Sequence, residues 1–131
     1  MNNYCFLKNK LTRMFLVTLV AFSVQKVNAQ SAVAVGSNGV YGYAYRAGSQ
    51  RAAVFRALRE CEARGGVNVQ IVASTFSPGF SAVAYWREPS GRWAIGCSLG
   101  RGTRYEAIQR SIDECLAAGG FNPRIVASWI D

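Results

Sequence analysis

The feature that most constrains this chain is an internal echo. Gly65–Ser74 reads GGVNVQIVAS, and Gly119–Ser128 reads GGFNPRIVAS, 54 residues later. The same offset pairs Cys61 with Cys115, Glu60 with Glu114, Arg56 with Arg110, Ala53 with Ala107 and Gly48 with Gly102. Across a small gap, Ser31-Ala32-Val33-Ala34 returns as Ser81-Ala82-Val83-Ala84. Whatever unit one copy folds into, the other repeats, so the architecture is a tandem duplication.

One copy reads as β-β-α-β. Ser31–Gly36 is small and apolar, and Val40–Tyr45 alternates, with Tyr41, Tyr43 and Tyr45 on one face and Gly42 and Ala44 on the other. Between them Ser37-Asn38-Gly39 carries Asn-Gly, a strong hairpin signal. Ser49 is a good N-cap for a helix to Arg64, with Val54, Leu58 and Cys61 as its buried stripe and Ala57 beside them. Gly65-Gly66 ends it, because glycine enters the left-handed region at least cost. Val69–Phe76, rich in β-branched residues, reads as the third strand.

The second copy follows the same grammar. Ala82–Trp86 and Arg92–Ser98 are strands around an Arg87–Gly91 turn. Thr103 caps a helix to Ala118 with Ile108, Ile112 and Cys115 inward, and Arg124–Ile130 is the last strand. Pro123 cannot donate to a ladder and belongs at a strand start or an edge. The expectation is an α+β fold: a duplicated β-β-α-β unit giving a six-stranded, mostly antiparallel sheet with two helices and a pseudo-twofold. A single unit has too little core to stand alone, so repeats 31–77 and 81–131 form one domain over 30–131.

Residues 1–29 read as a secretory signal: Lys8, Lys10 and Arg13 precede an apolar run, Met14 to Val24, and Val27-Asn28-Ala29 suits a signal peptidase cutting after Ala29. The 102 residues that follow make one compact domain with a modest core. They keep eleven of the fifteen cations, all arginine, against seven acids. That moderate basic balance suits acidic partners or anionic envelope surfaces and does not mark a nucleic-acid binder. No membrane span is expected after processing.

The chain has no histidine, which removes Ser-His and Cys-His nucleophile activation and the commonest zinc ligand. Glu60 and Glu114, equivalent by the repeat, could meet across the pseudo-twofold as a catalytic carboxylate pair. The stronger alternative holds each against Arg56 or Arg110, one turn back. Cys61, Cys97 and Cys115 are an odd set, spaced for no zinc motif, and read as small buried hydrophobes or as one disulfide involving Cys97. No cofactor is implied.

Tyr41, Tyr43, Tyr45, Trp86 and Trp93, with Arg92 beside them, are the candidate partner-binding residues. Tyrosine, tryptophan and arginine are what interface hot spots favour, and the aromatics could also stack on sugar rings. The same residues could instead close the core of a curved sheet.

In its order of hairpin, Gly-[Ser/Thr], alanine-rich helix ending in Glu-Cys, Gly-Gly and a final Ile-Val strand, duplicated behind a signal peptide, the chain resembles domain-of-unknown-function family 4189. The resemblance covers Ser31–Asp131. It implies a small secreted or periplasmic bacterial protein with no general catalytic activity; some members resemble secreted effectors, and others occur in contexts suggesting immunity to toxins of neighbouring bacteria. Relatives usually bond a third-strand cysteine to the one ending the helix. Val69 and Pro123 stand near those places here, so that local disulfide is not carried over. Together these readings suggest an exported, non-catalytic binding protein of inhibitor or immunity type, its partner a toxin or envelope hydrolase. The alternatives are an envelope-active hydrolase, a peptidoglycan- or glycan-binding module, and a secreted effector.

Overall fold

A computed structural model describes residues 29–131 of the chain. The signal-peptide reading of residues 1–29 lies, apart from Ala29, outside the described residues. The observed order is β1 (Gln30–Val35), β2 (Tyr41–Ala47), α1 (Gln50–Ala63), β3 (Gln70–Thr75), β4 (Phe80–Arg87), β5 (Trp93–Arg101), α2 (Arg104–Ala117) and β6 (Arg124–Ile130). This is the expected duplicated β-β-α-β unit. Ser49 Oγ accepts the Ala52 amide at 3.1 Å and Thr103 Oγ1 the Glu106 amide at 3.0 Å, so both predicted N-caps are made. Gly65 (φ 99°) and Gly119 (φ 102°) are the left-handed residues that stop the helices.

All pairings are antiparallel and stay within a repeat, in the orders β2-β1-β3 and β5-β4-β6. The six strands therefore form two three-stranded sheets rather than one continuous surface. The reason lies in the central strands. In β1, Ala32 and Ala34 face one way and Val33 the other, and all three are buried; in β4 the same holds for Ala82, Ala84 and Val83. A strand apolar on both faces needs cover on both. One face takes its own helix: Ala32, Ala34 and Ala44 cluster with Ala53, Ala57 and Cys61, and Ala84 and Ala94 with Cys115. The other face takes the opposite repeat, because Val33, Val83 and Trp129 share one cluster with Tyr43, Ala73, Ile95 and Cys97. The layers run α1, first sheet, second sheet, α2.

Each helix lies unusually close to its sheet. A Cβ on Gly42 would sit 2.5 Å from the Cys61 amide nitrogen, and one on Gly96 would sit 2.1 Å from the Ser111 carbonyl oxygen. Only small side chains fit beneath such a helix. The fully buried helical residues are accordingly Ala53, Ala57 and Cys61, and Ala107, Ser111 and Cys115. The expected stripe residues Val54, Leu58, Ile108 and Ile112 are only partly buried. The thiols donate to matched carbonyls, Cys61 to Val40 at 3.2 Å and Cys115 to Ala94 at 3.5 Å.

Two β-bulges are duplicated with the sequence. In β3 the register slips between Val33↔Ala73 and Ala34↔Ile71, and in β6 between Val83↔Ala127 and Ala84↔Ile125. The extra residues, Val72 and Val126, let Ile71 and Ile125 face the helix while Ala73 and Ala127 face the other sheet. A second slip places Arg46 (φ 55°) in the position that Gly100 (φ 68°) holds in the other repeat.

Candidate functional site

The alternation of β2 is as expected, but its aromatic face does not point to solvent. Gly42 and Ala44 face α1, so Tyr41, Tyr43 and Tyr45 face the second sheet. Trp129 of β6 lies against two of them, 5.5 Å from Tyr43 at 12° and 5.2 Å from Tyr45 at 17°. Tyr41 meets Tyr85 of β4 at 4.8 Å. The seam between repeats is thus aromatic along one flank. By the repeat, the other flank has Ile95, Cys97 and Leu99 in place of the three tyrosines and Thr75 in place of Trp129.

The rims of this seam remain accessible. Tyr45 is 40% exposed beside Ile130 at 42%, and Arg46 lies over the Tyr45 ring at 5.9 Å. Arg46 also donates from Nε and Nη2 to the Ile130 carbonyl, at 3.2 and 3.1 Å, tying the end of β6 to the first repeat. Arg64 approaches the half-buried Tyr41 and Tyr43 rings at 5.7 and 5.9 Å. Burial, opposed by Arg64, holds the Tyr41 hydroxyl above its ordinary pKa.

The candidate residues do not form one face. Trp93 is half-buried and shares the seam-side parity of Ile95 and Cys97. Gly39 lies so near that a Cβ there would stand 2.7 Å from the Trp93 ring. Trp86 has the opposite parity, with Ala82 and Ala84, and is buried on the α2 side. Phe121 meets it edge-on at 5.6 Å, and Arg92 lies over both rings at 5.4 and 5.9 Å. Arg92 is held by Glu88 at 3.2 Å.

The first hairpin's tip docks on the second repeat. Tyr85 donates its hydroxyl to the Gly39 carbonyl, and Arg87 Nη1 donates to the Asn38 carbonyl at 3.2 Å and to the Tyr85 hydroxyl at 3.1 Å. The Asn38 side chain turns back to its own repeat, donating to the Gly65 carbonyl at 3.0 Å and accepting the Val67 amide at 3.2 Å. Sequence reasoning passed over Arg46, Arg64, Arg87, Phe121, Arg124 and Trp129. Parity could have found Trp129, which lies two residues beyond Ala127 on the same strand face.

The glutamate pair does not form. Its members ride on helices in opposite outer layers. Glu114 Oε1 instead accepts the Cys97 amide at 3.1 Å, on the edge strand β5. Arg110 pairs with Glu106 at 3.2 Å rather than with Glu114. Among the described residues, Cys61, Cys97 and Cys115 form no disulfide. Cys97 and Cys115 lie on opposite faces of the second sheet and do not pair. Burial raises all three thiol pKa values, with Cys97 pushed up to about 12 by burial and by Glu114. None is a ready thiolate near neutral pH. Among the described residues, no group of three or more cysteines and acids could hold a metal ion, and no helix is long and apolar enough to cross a membrane.

The family described as Domain of unknown function (DUF4189) matches residues 31–129, and the chain belongs to it. Neither a curated protein nor a solved structure gave a match.

Proposed function

We propose that this DUF4189 chain is an exported, non-catalytic binding protein that grips one protein partner in the bacterial envelope, of the kind that blocks a toxin or an envelope hydrolase. The observation that carries this reading is the set of guanidinium groups resting on aromatic rings without acidic partners. Arg64 on Tyr41 and Tyr43 and Arg104 on Phe80 are of this kind; Arg46 lies on Tyr45 too, with Asp131 beside it and its Nε and Nη2 on the Ile130 carbonyl. Among the described residues, ion pairs engage only Arg92 and Arg110. An arginine stacked on a ring is pre-organised and leaves its hydrogen-bonding edge for a carboxylate on another molecule. The aromatics beneath supply apolar area at small entropic cost.

The binding residues form rims rather than a sheet face. Tyr45 with Arg46 is one rim, Tyr41 and Tyr43 under Arg64 a second, and Arg92 on Trp86 and Phe121 a third. Export rests on the leader-like residues 1–29, and the periplasm or the cell exterior is the proposed location. The buried, protonated thiols and the separated glutamates support binding over turnover.

The test sets two columns side by side: retention of envelope proteins by immobilised residues 30–131, and co-sedimentation of the same protein with purified peptidoglycan. The proposal expects saturable retention of one protein and no release of soluble peptidoglycan fragments. Co-sedimentation without protein retention would replace it with the glycan-binding reading, and fragment release abolished in Glu114→Gln would replace it with the hydrolase.

A further inference from the structure

Beside the docked hairpin tip lies a depression of about 470 Å³, lined by Tyr85, Trp86, Arg87, Asn122, Arg124 and Val126. Its chemistry is divided. Tyr85 and Val126 give an apolar wall, with the buried Trp86 at its edge, while Arg87, Arg124 and Asn122 supply donors. Arg87 commits only Nη1 to the chain, and among the described residues its Nε and Nη2 have no partner. Arg124 makes no side-chain hydrogen bond and no ion pair among the described residues. A third cation, Arg64, stands behind, over the Tyr41 ring that packs on Tyr85.

No acid of the chain lines this depression. Glu88 and Glu106 are engaged by Arg92 and Arg110. Glu114 is on the Cys97 amide, and Asp131 stands beside Arg46. Glu60, Glu62 and Asp113 lie on exposed helix surface.

Two arginines that line one depression without a counter-charge repel each other, and an anion bound between them relieves that repulsion. We propose that this depression is a carboxylate-recognition site, in which Arg87 and Arg124 fork onto the two oxygens, Asn122 donates to a remaining lone pair, and Tyr85 and Val126 cover a short alkyl stem. A carboxylate offers two oxygens and about four acceptor positions in one plane, which matches two planar guanidinium groups and an amide. A phosphate lacks the stem that the apolar wall would cover. The fitting ligand is a peptide bearing a glutamate-like carboxylate. This deepens the binding reading above and rests on it only for the source of the carboxylate, which is either a protein partner or the stem peptide of peptidoglycan.

The probe is acetyl-glutamyl-amide, titrated into residues 30–131 while the arginine Nε–H resonances are followed, with acetyl-glutaminyl-amide and inorganic phosphate as comparisons. The site predicts saturable shifts at Arg87 and Arg124 with the glutamyl probe and none with the glutaminyl one. Arg124→Gln should weaken the probe's affinity by about tenfold or more, the effect of removing one charge-assisted hydrogen bond. Arg51→Gln, at the other end of α1, should leave it unchanged. The Arg124 side chain makes no hydrogen bond among the described residues, so that variant separates binding from folding, which circular dichroism checks. Absence of shifts, equal response to the glutaminyl probe, tighter binding of phosphate, or equal weakening in Arg51→Gln would each overturn the site. If the stem peptide binds while no envelope protein is retained, the site stands and the protein-partner reading falls. If a protein is retained equally by wild type and Arg124→Gln, that reading stands and the site falls.

Discussion

Adding one methyl group at Gly96 tests why the fold needs this sequence. The new Cβ would lie 2.1 Å from the Ser111 carbonyl oxygen and 2.5 Å from the Cys115 amide nitrogen. Both are backbone atoms of α2, so no side chain can swing aside. Ordinary contact begins at 3.4 Å, and 3.4 less 2.1 requires the helix to retreat by about 1.3 Å. That retreat opens the layer where Ala107, Ser111 and Cys115 are completely buried. Overpacking a tight core ordinarily costs about 1–3 kcal/mol, and a clash against helix backbone belongs at or above the top of that range. Gly96→Ala should therefore lose about 3 kcal/mol or more, a fall of roughly 12 °C or more in Tm for a domain of this size. Gly42→Ala, whose nearest approach is 2.5 Å, should lose less, about 2 kcal/mol. Gly102→Ala, which meets only Glu106 Oε1 at 4.0 Å, should stay within about 0.5 kcal/mol of wild type. Urea denaturation followed by circular dichroism reads all three. A Gly96→Ala protein as stable as the Gly102→Ala one would refute direct packing of helix on strand backbone.

Because the repeats share the buried layer between their sheets, Leu58→Ala and Ile112→Ala should each lower a single unfolding transition, by about 1–3 kcal/mol for partly buried side chains; two separable calorimetric transitions would show independent halves. The folded Cys97 thiol titrates near 12 against an ordinary 9.0. Between those values the unfolded chain has released this proton and the folded chain keeps it, so this group's contribution to stability falls as pH rises from about 9 to about 12. Cys97→Ala should flatten that part of the wild-type stability profile, and an unchanged slope would contradict the burial argument. Arg46 holds a left-handed conformation while its guanidinium ties down Ile130. Arg46→Ala removes the tie and keeps the strain, whereas Arg46→Gly removes the tie and relieves it. The glycine variant should be the more stable of the two by about 1 kcal/mol in denaturation, and the reverse order would mean that Arg46 is not strained.

Local structure was legible because local signals write it. Ser49 and Thr103 mark helix starts, Gly65 and Gly119 mark the ends, and the repeated Ile-Val segments mark the last strands. The partition into two sheets was also written, in the Ser-Ala-Val-Ala segments whose both faces are apolar, but that signal speaks of what covers a strand and says nothing of pairing. Parity placed the tyrosines on one face of β2 and could not say which face is covered. The glycine between them carried the answer, because Gly42 and Gly96 are where a helix can touch strand backbone. The helix stripes were misjudged for the same reason: a hydrophobicity pattern favours Leu58 and Ile112, whereas the short helix–sheet distance favours Ala57 and Ser111. Trp86 and Trp93 look like neighbours in a hairpin but differ in parity and end on opposite sides of the second sheet. The gathering of Arg64, Arg87 and Arg124 was not legible, since Arg87 and Arg124 are brought together by the pairing of β4 with β6, and Arg64 joins them only through the docking of one repeat on the other.

The central claim is that the arginine-bearing aromatic rims bind a partner without chemistry. Its most direct test is retention of an envelope protein by immobilised residues 30–131, measured side by side for wild type, Tyr45→Ala, Glu114→Gln and Arg51→Gln, each checked for folding by circular dichroism. The account predicts that wild type, Glu114→Gln and Arg51→Gln retain the same protein with equal affinity. Tyr45→Ala should weaken retention by about tenfold or more, as for a hot-spot residue. Equal retention by a folded Tyr45→Ala protein, or a catalytic turnover that Glu114→Gln abolishes, would contradict it.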